Sequence, residues 1–357
     1  MTLPYAGKPI DPRTVGRELN VRYVADGELR RVGERIVVSA RLVDAMDGRQ
    51  TWSDRIETSA HDRTTTDLDV SQRLVYRLNV AVRDAEITRA RADSGNRRTS
   101  IEFVLRGNAV AFQGYDVVKD ARESRKLYDQ ALAIDPNFVP ALIGRGQTFI
   151  QELTDDPAAD WDRLVPELEN VSRRALSLDA DDAGVWLLRG DALSLQGRGE
   201  GALEAFGRAG HLDPSLVAPL VGQAWRLMYM GRFGDAIQMA DRAIAKDKLH
   251  GYTSDMLRLK CRCNIALGRL DEAIADCEKS SAGADNRWLH AHLLAAYAGN
   301  GDATRARAEK ARLFEQWPGA SVVAITTFWR HYTDAPEFWE PTDRIYIPGL
   351  RKGGLPE

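Results

Sequence analysis

Small residues between positions 197 and 243 recur at a spacing of 34 residues. The recurring positions form three pairs: Gly197 and Gly231, Ala202 and Ala236, and Ala209 and Ala243. A period in the range of 20–50 residues is the signature of a repeat architecture, in which each unit buries its apolar face against the next. Small residues at fixed offsets let two helices approach closely. The spacing therefore predicts a stack of helix pairs.

The pattern extends in both directions with interruptions. Ala175 precedes Ala209 by 34 residues, Gly268 follows Gly231 by 37, and Gly301 follows Gly268 by 33. Upstream, an acidic stretch near residues 152–163 lengthens one interval to 44. We count about six repeats across residues 101–320, whereas about three are enough for a continuous core.

The best repeat matches the tetratricopeptide family at Trp186, Gly190, Leu193, Ala202, Phe206, Ala209 and Pro214. The resemblance implies a mainly α fold, a superhelix whose groove binds a protein or peptide and contains no ready-made reaction centre. The following repeat departs from the pattern. Leu220 occupies the position that corresponds to Trp186, and Lys248 occupies the position that corresponds to Pro214. A non-repeating helical bundle is the alternative.

The first 95 residues follow a different period. Asp11-Pro12 is a helix-start signal, and the alternation from Ile36 to Leu42 has the strand period of two. Asp47-Gly48 is a hairpin signal. The expected order is a helix, three antiparallel strands and a long helix over residues 68–92.

Residues 16–31 and 35–55 resemble the TolB amino-terminal-like domain, and residues 349–357 resemble the tail of its cyclase-linked members. That domain commonly lies between tetratricopeptide repeats and an effector, which is often a class III adenylate or guanylate cyclase or a winged-helix DNA-binding domain. The cyclase domain is missing here, as is the first strand-helix unit, so no catalytic aspartate carries over. The incomplete sheet is expected to self-associate through residues 20–57.

These patterns predict three parts: a partial TolB-like α+β domain at 1–95, a tetratricopeptide superhelix at 96–320, and capping helices with a tail at 321–357. The expected function is a non-catalytic scaffold or sensory-regulatory module of a bacterial signalling protein. Two alternatives remain open. One is a fragment of a class III cyclase whose catalytic domain is encoded upstream. The other is the regulatory portion of a winged-helix transcription regulator.

Composition and motifs argue against several kinds of partner and cofactor. The net charge of −3 gives no basic surplus for nucleic acid, and no apolar run is long enough to span a membrane. No phosphate-binding loop is present, and His290 and His292 are spaced wrongly for one helix face. No cofactor or metal is therefore expected. Three cysteines on helical segments argue against disulfides and for a reducing, cytoplasmic location.

The first helix of each pair is expected to line the groove. The inward positions, counted from the repeat starts, are Gln147, Asp191, Trp225, Tyr229, Arg258 and Arg262. Aromatic residues and arginine dominate binding hot spots, and two arginines can meet a carboxylate together. Space-filling between repeats is the alternative for Trp225 and Tyr229, and a solvated face is the alternative for the arginines.

Overall fold

The structure is a computed structural model that describes residues 11–19, 21–33, 35–59, 100–111, 116–247, 251–281 and 286–357, and four single positions between 78 and 85. Residues 1–106 and 107–357 form two compact units, each described by itself below. The long helix expected over residues 68–92 lies outside the described residues, apart from those single positions.

The first unit contains a small antiparallel sheet. Its elements are α1 (Pro12–Leu19), β1 (Tyr23–Val32), β2 (Arg35–Asp44) and β3 (Gln50–Ser59). The strand order is β1-β2-β3, and Leu42, which is buried, lies opposite Ala25 on one side and Trp52 on the other. The predicted small antiparallel sheet is confirmed.

The second part of the chain is a succession of helix pairs. The first helices are α2 (Ser100–Ala111), α4 (Val139–Asp155), α6 (Ala183–Leu195), α8 (Ala218–Tyr229), α10 (Thr253–Ala266) and α12 (Arg287–Gly299). The second helices are α3 (Val117–Ile134), α5 (Trp161–Leu178), α7 (Gly199–Leu212), α9 (Phe233–Lys246), α11 (Leu270–Ser281) and α13 (Ala303–Gln316). From α4 onward, each first helix also contacts the first helix of the next pair. These helices form the inner layer of the solenoid.

Glycines on the first helices make room for large rings. The Phe206 ring on α7 lies between Gly190 on α6 and Gly222 on α8, and a Cβ at either glycine would lie 2.5 Å from that ring. Tyr128 approaches Gly144 in the same way two repeats earlier. A small residue facing an aromatic residue is therefore a packing device that the repeat uses more than once.

Replacing Gly190 with alanine is expected to destabilise the protein by about 1–3 kcal/mol, because the new methyl overlaps Phe206. The matched control is Gly207→Ala on α7, where the Cβ would meet only Gln223 at 3.7 Å. That change should stabilise the protein by up to about 1 kcal/mol through helix propensity. Urea denaturation of both variants measures the difference. Equal stability of the two variants would contradict this packing.

The recurring loop glycines end the first helices. Gly197 and Gly231 have φ values of 71° and 76°, a left-handed conformation that glycine adopts without steric cost. Gly268 and Gly301 occupy the same place in the next two pairs. The 34-residue spacing thus reflects a conformational requirement of the turn inside each pair.

The chain continues past α13 as the C-terminal segment, residues 321–357. It contains α14 (Val322–Arg330), α15 (Pro336–Pro341), a π-helical turn (Thr342–Tyr346) and α16 (Ile347–Lys352). Instead of only covering the last repeat, this segment turns back across the inner layer. α16 packs on α12, and the π-helical turn packs on α10 and α12.

The same segment brings distant repeats together. Trp161 at the start of α5 stacks on His331, with ring centroids 4.1 Å apart. Arg287 at the start of α12 donates a hydrogen bond from Nη2 to the Thr154 carbonyl in α4, at 3.3 Å. Within the second unit, an early repeat therefore contacts both the last repeat and the C-terminal segment. One apolar cluster contains residues from Leu142 to Leu355, and a second, smaller one is formed by Leu193, Ala202, Ala205 and Phe206.

The cysteines correct the sequence analysis. Cys261 on α10 and Cys277 on α11 form a disulfide across the antiparallel pair, with Cα atoms 5.3 Å apart. Cys263 is free and buried. The expectation of no disulfide was wrong because helix position alone does not tell which cysteines face one another across a pair.

Candidate binding surface

Two neighbouring inner helices bring Trp225 and Arg258 together. The Arg258 guanidinium lies 4.9 Å from the centroid of the half-buried Trp225 ring. Asp255 fixes both side chains, since it accepts a hydrogen bond from Trp225 Nε1 at 2.9 Å and forms an ion pair with Arg258. A cation held over an indole face and oriented by a carboxylate is a preorganised polar and aromatic surface.

Tyr229 joins this surface to the C-terminal segment. Its ring is 6.2 Å from Trp225 and stacks on Tyr332 at 4.6 Å. Burial raises the pKa of the Tyr229 hydroxyl well above its usual value. Only 9% of the residue is exposed, so Tyr229 contributes mainly to packing.

The structure places Arg262 away from the surface. Its guanidinium lies 4.7 Å from the Trp329 ring, 5.1 Å from Phe338 and 4.5 Å from Tyr346. Nη2 donates to Thr342 Oγ1 at 2.5 Å, whereas Nε and Nη1 find no hydrogen-bond partner among the described residues. Burial lowers the pKa of this guanidinium.

The C-terminal segment separates the two arginines that were expected to act together. Only 1% of Arg262 is exposed, because the π-helical turn and α15 cover it. Arg258, one turn away on the same helix, keeps 15% of its side chain exposed. Arg262 is therefore a buried residue, and Arg258 is the more exposed of the two arginines.

The two remaining candidates lie on earlier inner helices. Gln147 is exposed on α4, and Asp191 is half-buried on α6. Desolvation raises the pKa of Asp191 to about 7. Its charge and that of Asp155 both raise the pKa of Tyr332, and Asp191 acts likewise on Tyr252. Asp191 therefore lies close to the aromatic part of the surface, whereas no contact joins Gln147 to it within the described residues.

The raised pKa of Asp191 predicts a pH dependence of stability. Between about pH 4 and pH 7 the unfolded carboxyl has ionised while the folded one retains its proton. The folded state then binds more protons, so stability falls as pH rises through this range and levels off above it. Asp191→Asn should remove this loss and be more stable than the wild type at pH 8.

Urea denaturation at pH 5 and pH 8 gives the free energy of unfolding of the wild type and of Asp191→Asn. The prediction is tested by whether the difference between the two proteins changes from one pH to the other. Burial also raises the pKa of Asp155, but that contribution is common to both proteins and cancels. The exposed Asp343 supplies a control, since Asp343→Asn should leave the pH dependence unchanged. A difference that is the same at both pH values would contradict the prediction.

Asp255 and Tyr332 are the contributors that the sequence analysis missed. Asp255 precedes Arg258 by three residues on one helix, and that spacing is a signal for a side-chain pair. Tyr332 gave no such signal, because its contact with Tyr229 depends on the path of the C-terminal segment. In the described residues, no three His, Cys, Asp or Glu side chains are grouped to hold a metal ion. No helix of that part is both long and apolar enough to cross a membrane.

Comparison with known proteins agrees with this architecture. Residues 221–286, from within α8 to the residue before α12, match the tetratricopeptide repeat family. The solved Cut9–Hcn1 hetero-tetramer of the APC/C contains a similar chain, with a TM-score of 0.55 and 15% identity over 71% of this chain and 48% of that one. A tetratricopeptide repeat protein from Parabacteroides merdae ATCC 43184 is 14% identical, covering 74% and 97%, with a TM-score of 0.48.

One curated relative is a bacterial protein named "Putative adenylate cyclase 3", from Rhizobium meliloti (strain 1021). It is 28% identical over 137 residues, which are 38% of this chain. The aligned part spans 23% of the relative's length. The helix pairs, the repeat match over residues 221–286 and the similar solved fold show that the helical region is a solenoid of tetratricopeptide-like helix pairs.

Proposed function

We propose that the solenoid is a non-catalytic scaffold that binds a protein or peptide along its inner layer. The observation that carries this proposal is the surface formed by Trp225 and Arg258, fixed by Asp255 on two adjacent first helices. Tryptophan and arginine are the residues most enriched in binding hot spots. Because their geometry is fixed before binding, little side-chain entropy remains to be lost on association.

A photo-crosslinking residue at the exposed position Gln147 tests whether a partner lies on this side. The same residue at Arg242, which is exposed on the second helix α9, is the matched control. A partner that crosslinks from position 147 and not from 242 supports inner-layer binding. Equal capture from both positions contradicts it.

Affinity measurements then test the surface itself. Arg258→Ala should weaken the binding of the crosslinked partner by about 2 kcal/mol or more, which is the loss typical of a hot-spot residue. Arg242→Ala should leave affinity unchanged, since Arg242 is exposed on α9 and donates a hydrogen bond to Met239 of its own helix. Unchanged affinity in Arg258→Ala would place the partner elsewhere.

A second candidate is that this chain is the regulatory part of an adenylate cyclase protein, which the Rhizobium meliloti relative favours. Under that proposal the catalytic domain is encoded upstream, and the chain alone makes no cyclic nucleotide from ATP or GTP. The genomic sequence before the Met1 codon tests the first part, since an in-frame cyclase-coding stretch is required. Turnover by the purified chain that survives rigorous purification would sink the scaffold proposal.

The cytoplasmic location is also a proposal, and it rests on composition. The Cys261–Cys277 disulfide weighs against the part of that argument that used cysteines, because disulfides are rare in reducing compartments. Thiol alkylation during denaturing lysis of the cells, in which buried thiols also react, distinguishes the two cases. Three alkylated cysteines indicate a reducing compartment, and one indicates an oxidising one.

Self-association through residues 20–57 is likewise proposed, because outer strands of a sheet invite pairing with another chain. Light scattering compares the full chain with residues 96–357. The shorter chain is expected to be monomeric. A monomeric full chain with residues 20–57 well protected in hydrogen exchange would rule this proposal out.

A further inference from the structure

A second concave feature lies beside the inner layer, at the junction of early and late repeats. It is a cavity of about 480 Å³ bounded by the loop before α5, the start of α12, the end of α13 and α14. Four aromatic side chains, Trp161, Trp288, Trp317 and Phe328, line it and are half-buried. This volume lies within the range typical of small-ligand pockets.

The aromatic walls belong to one connected cluster. The Trp288 ring is 5.6 Å from Trp317 and 4.6 Å from Phe328. Trp161 meets Phe328 edge-on at 6.5 Å, while His331 stacks on Trp161. The negative faces of such rings attract cations within about 6 Å, and indole does so best.

One carboxylate at the cavity can meet a cation as well. Asp156, Asp160 and Asp162 line the cavity together with Arg287. Asp156 is paired with Arg122 at 2.6 Å, and Asp160 is paired with Arg163 at 3.6 Å. Asp162 has no salt-bridge partner in the part of the chain that the structure describes. Of the three lining carboxylates, Asp162 is therefore the one available to a ligand.

Arg287 is an example of a cation that packs on the rings of this cavity. Its guanidinium lies 5.4 Å from the Trp288 centroid and 5.1 Å from the Trp317 centroid, and it donates a hydrogen bond to the Thr154 carbonyl. Burial lowers the pKa of this group. Arg287 is thus a cation that already lies against Trp288 and Trp317. Among the described residues, no cationic side chain lies over the ring of Trp161 or Phe328.

We propose that this cavity binds an organic cation, an alkylammonium or guanidinium group, between its aromatic walls and Asp162. The shared chemistry is a positive charge with an apolar periphery. Two sources supply it: a free quaternary amine, or the side chain of a basic residue in a protein segment. The site is separate from the Trp225–Arg258 surface, so it does not depend on the proposed scaffold function.

Isothermal titration of the full chain at low ionic strength tests the proposal with three probes. Choline chloride represents the free amine, and N-acetyl-arginine methylamide represents the protein side chain. 3,3-Dimethylbutanol has the shape of choline without its charge. At least one cation should bind saturably, and the neutral isostere should bind at least about threefold more weakly.

The choice of probe distinguishes the sources. Binding of choline alone assigns the site to a free quaternary amine, and binding of the arginine derivative alone assigns it to a basic side chain. Asp162→Asn should weaken the bound cation about threefold or more. Asp343→Asn, an exposed change of the same charge outside the cavity, should not.

Three results would overturn the proposal. They are no saturable binding of either cation, equal affinity for the neutral isostere, or unchanged affinity in Asp162→Asn with the fold verified by circular dichroism. As a second variant, Trp161→Phe keeps an aromatic wall and should weaken binding without abolishing it, because phenyl attracts a cation less strongly than indole does. Binding as tight as that of the wild type would contradict the proposed place of the cation in the cavity.

Discussion

Replacing Phe338 with alanine is expected to destabilise the second unit by about 3–5 kcal/mol, the cost of deleting a buried phenyl ring. Phe338 is completely buried in α15. Its ring meets Trp329 and Tyr229 at 5.8 Å each, and the Arg262 guanidinium at 5.1 Å. The change leaves a cavity between the C-terminal segment and the inner layer, because neither side can collapse without moving a helix.

Urea denaturation monitored by circular dichroism measures this loss. Val323→Ala in α14 is the control, since Val323 is 58% exposed and its truncation should change stability by less than about 0.5 kcal/mol. A loss below about 1 kcal/mol for Phe338→Ala would mean that the C-terminal segment is not packed on the solenoid.

Arg262→Ala is expected to cost about 2–4 kcal/mol, through the cavity left beneath the segment and the loss of contacts with three rings. Arg262→Met should stay within about 1 kcal/mol of the wild type. Methionine fills similar space and removes a buried charge with no carboxylate partner and two unsatisfied nitrogens. The sequence analysis had expected this arginine at the surface, where truncation spares the fold.

The two substitutions are compared by the same denaturation measurement, with Arg242→Ala as the exposed arginine control. If Arg262→Ala proves as stable as Arg242→Ala, Arg262 is solvated and available to a partner after all. If methionine is as damaging as alanine, the charge itself stabilises the segment more than its volume does.

The helix pairs were predictable from the sequence because their signals are local. Gly197 and Gly231 each end a helix, because the left-handed turn that follows it favours glycine whatever the rest of the fold. Gly190 faces Phe206 across one pair, and both residues recur in the family pattern. Such rules need only a few tens of residues, so periodicity predicts them well.

The position of the C-terminal segment was not predictable in that way. Arg226 donates a hydrogen bond to the Tyr332 carbonyl across 106 residues, at 3.2 Å. An aromatic-rich tail has the same composition whether it covers a terminal repeat or turns inward. The burial of Arg262 follows from that path, as does the contact between Tyr229 and Tyr332. The residues that each inner helix contributes to the candidate surface could therefore be predicted from the sequence. Which of those residues the C-terminal segment covers could not be predicted.

The inward path of the segment also matters while the protein is being made. A repeat array can normally fold from its first units as they leave the ribosome, because each unit needs only its neighbour. Here the rings that cover Tyr229 and Arg262 are Tyr332, Phe338 and Tyr346, which are synthesised well after α8 and α10. The inner faces of α8 and α10 stay uncovered until this later segment has emerged. The nascent protein thus passes through an interval in which a finished set of repeats still exposes the apolar surface that chaperones recognise and that promotes aggregation.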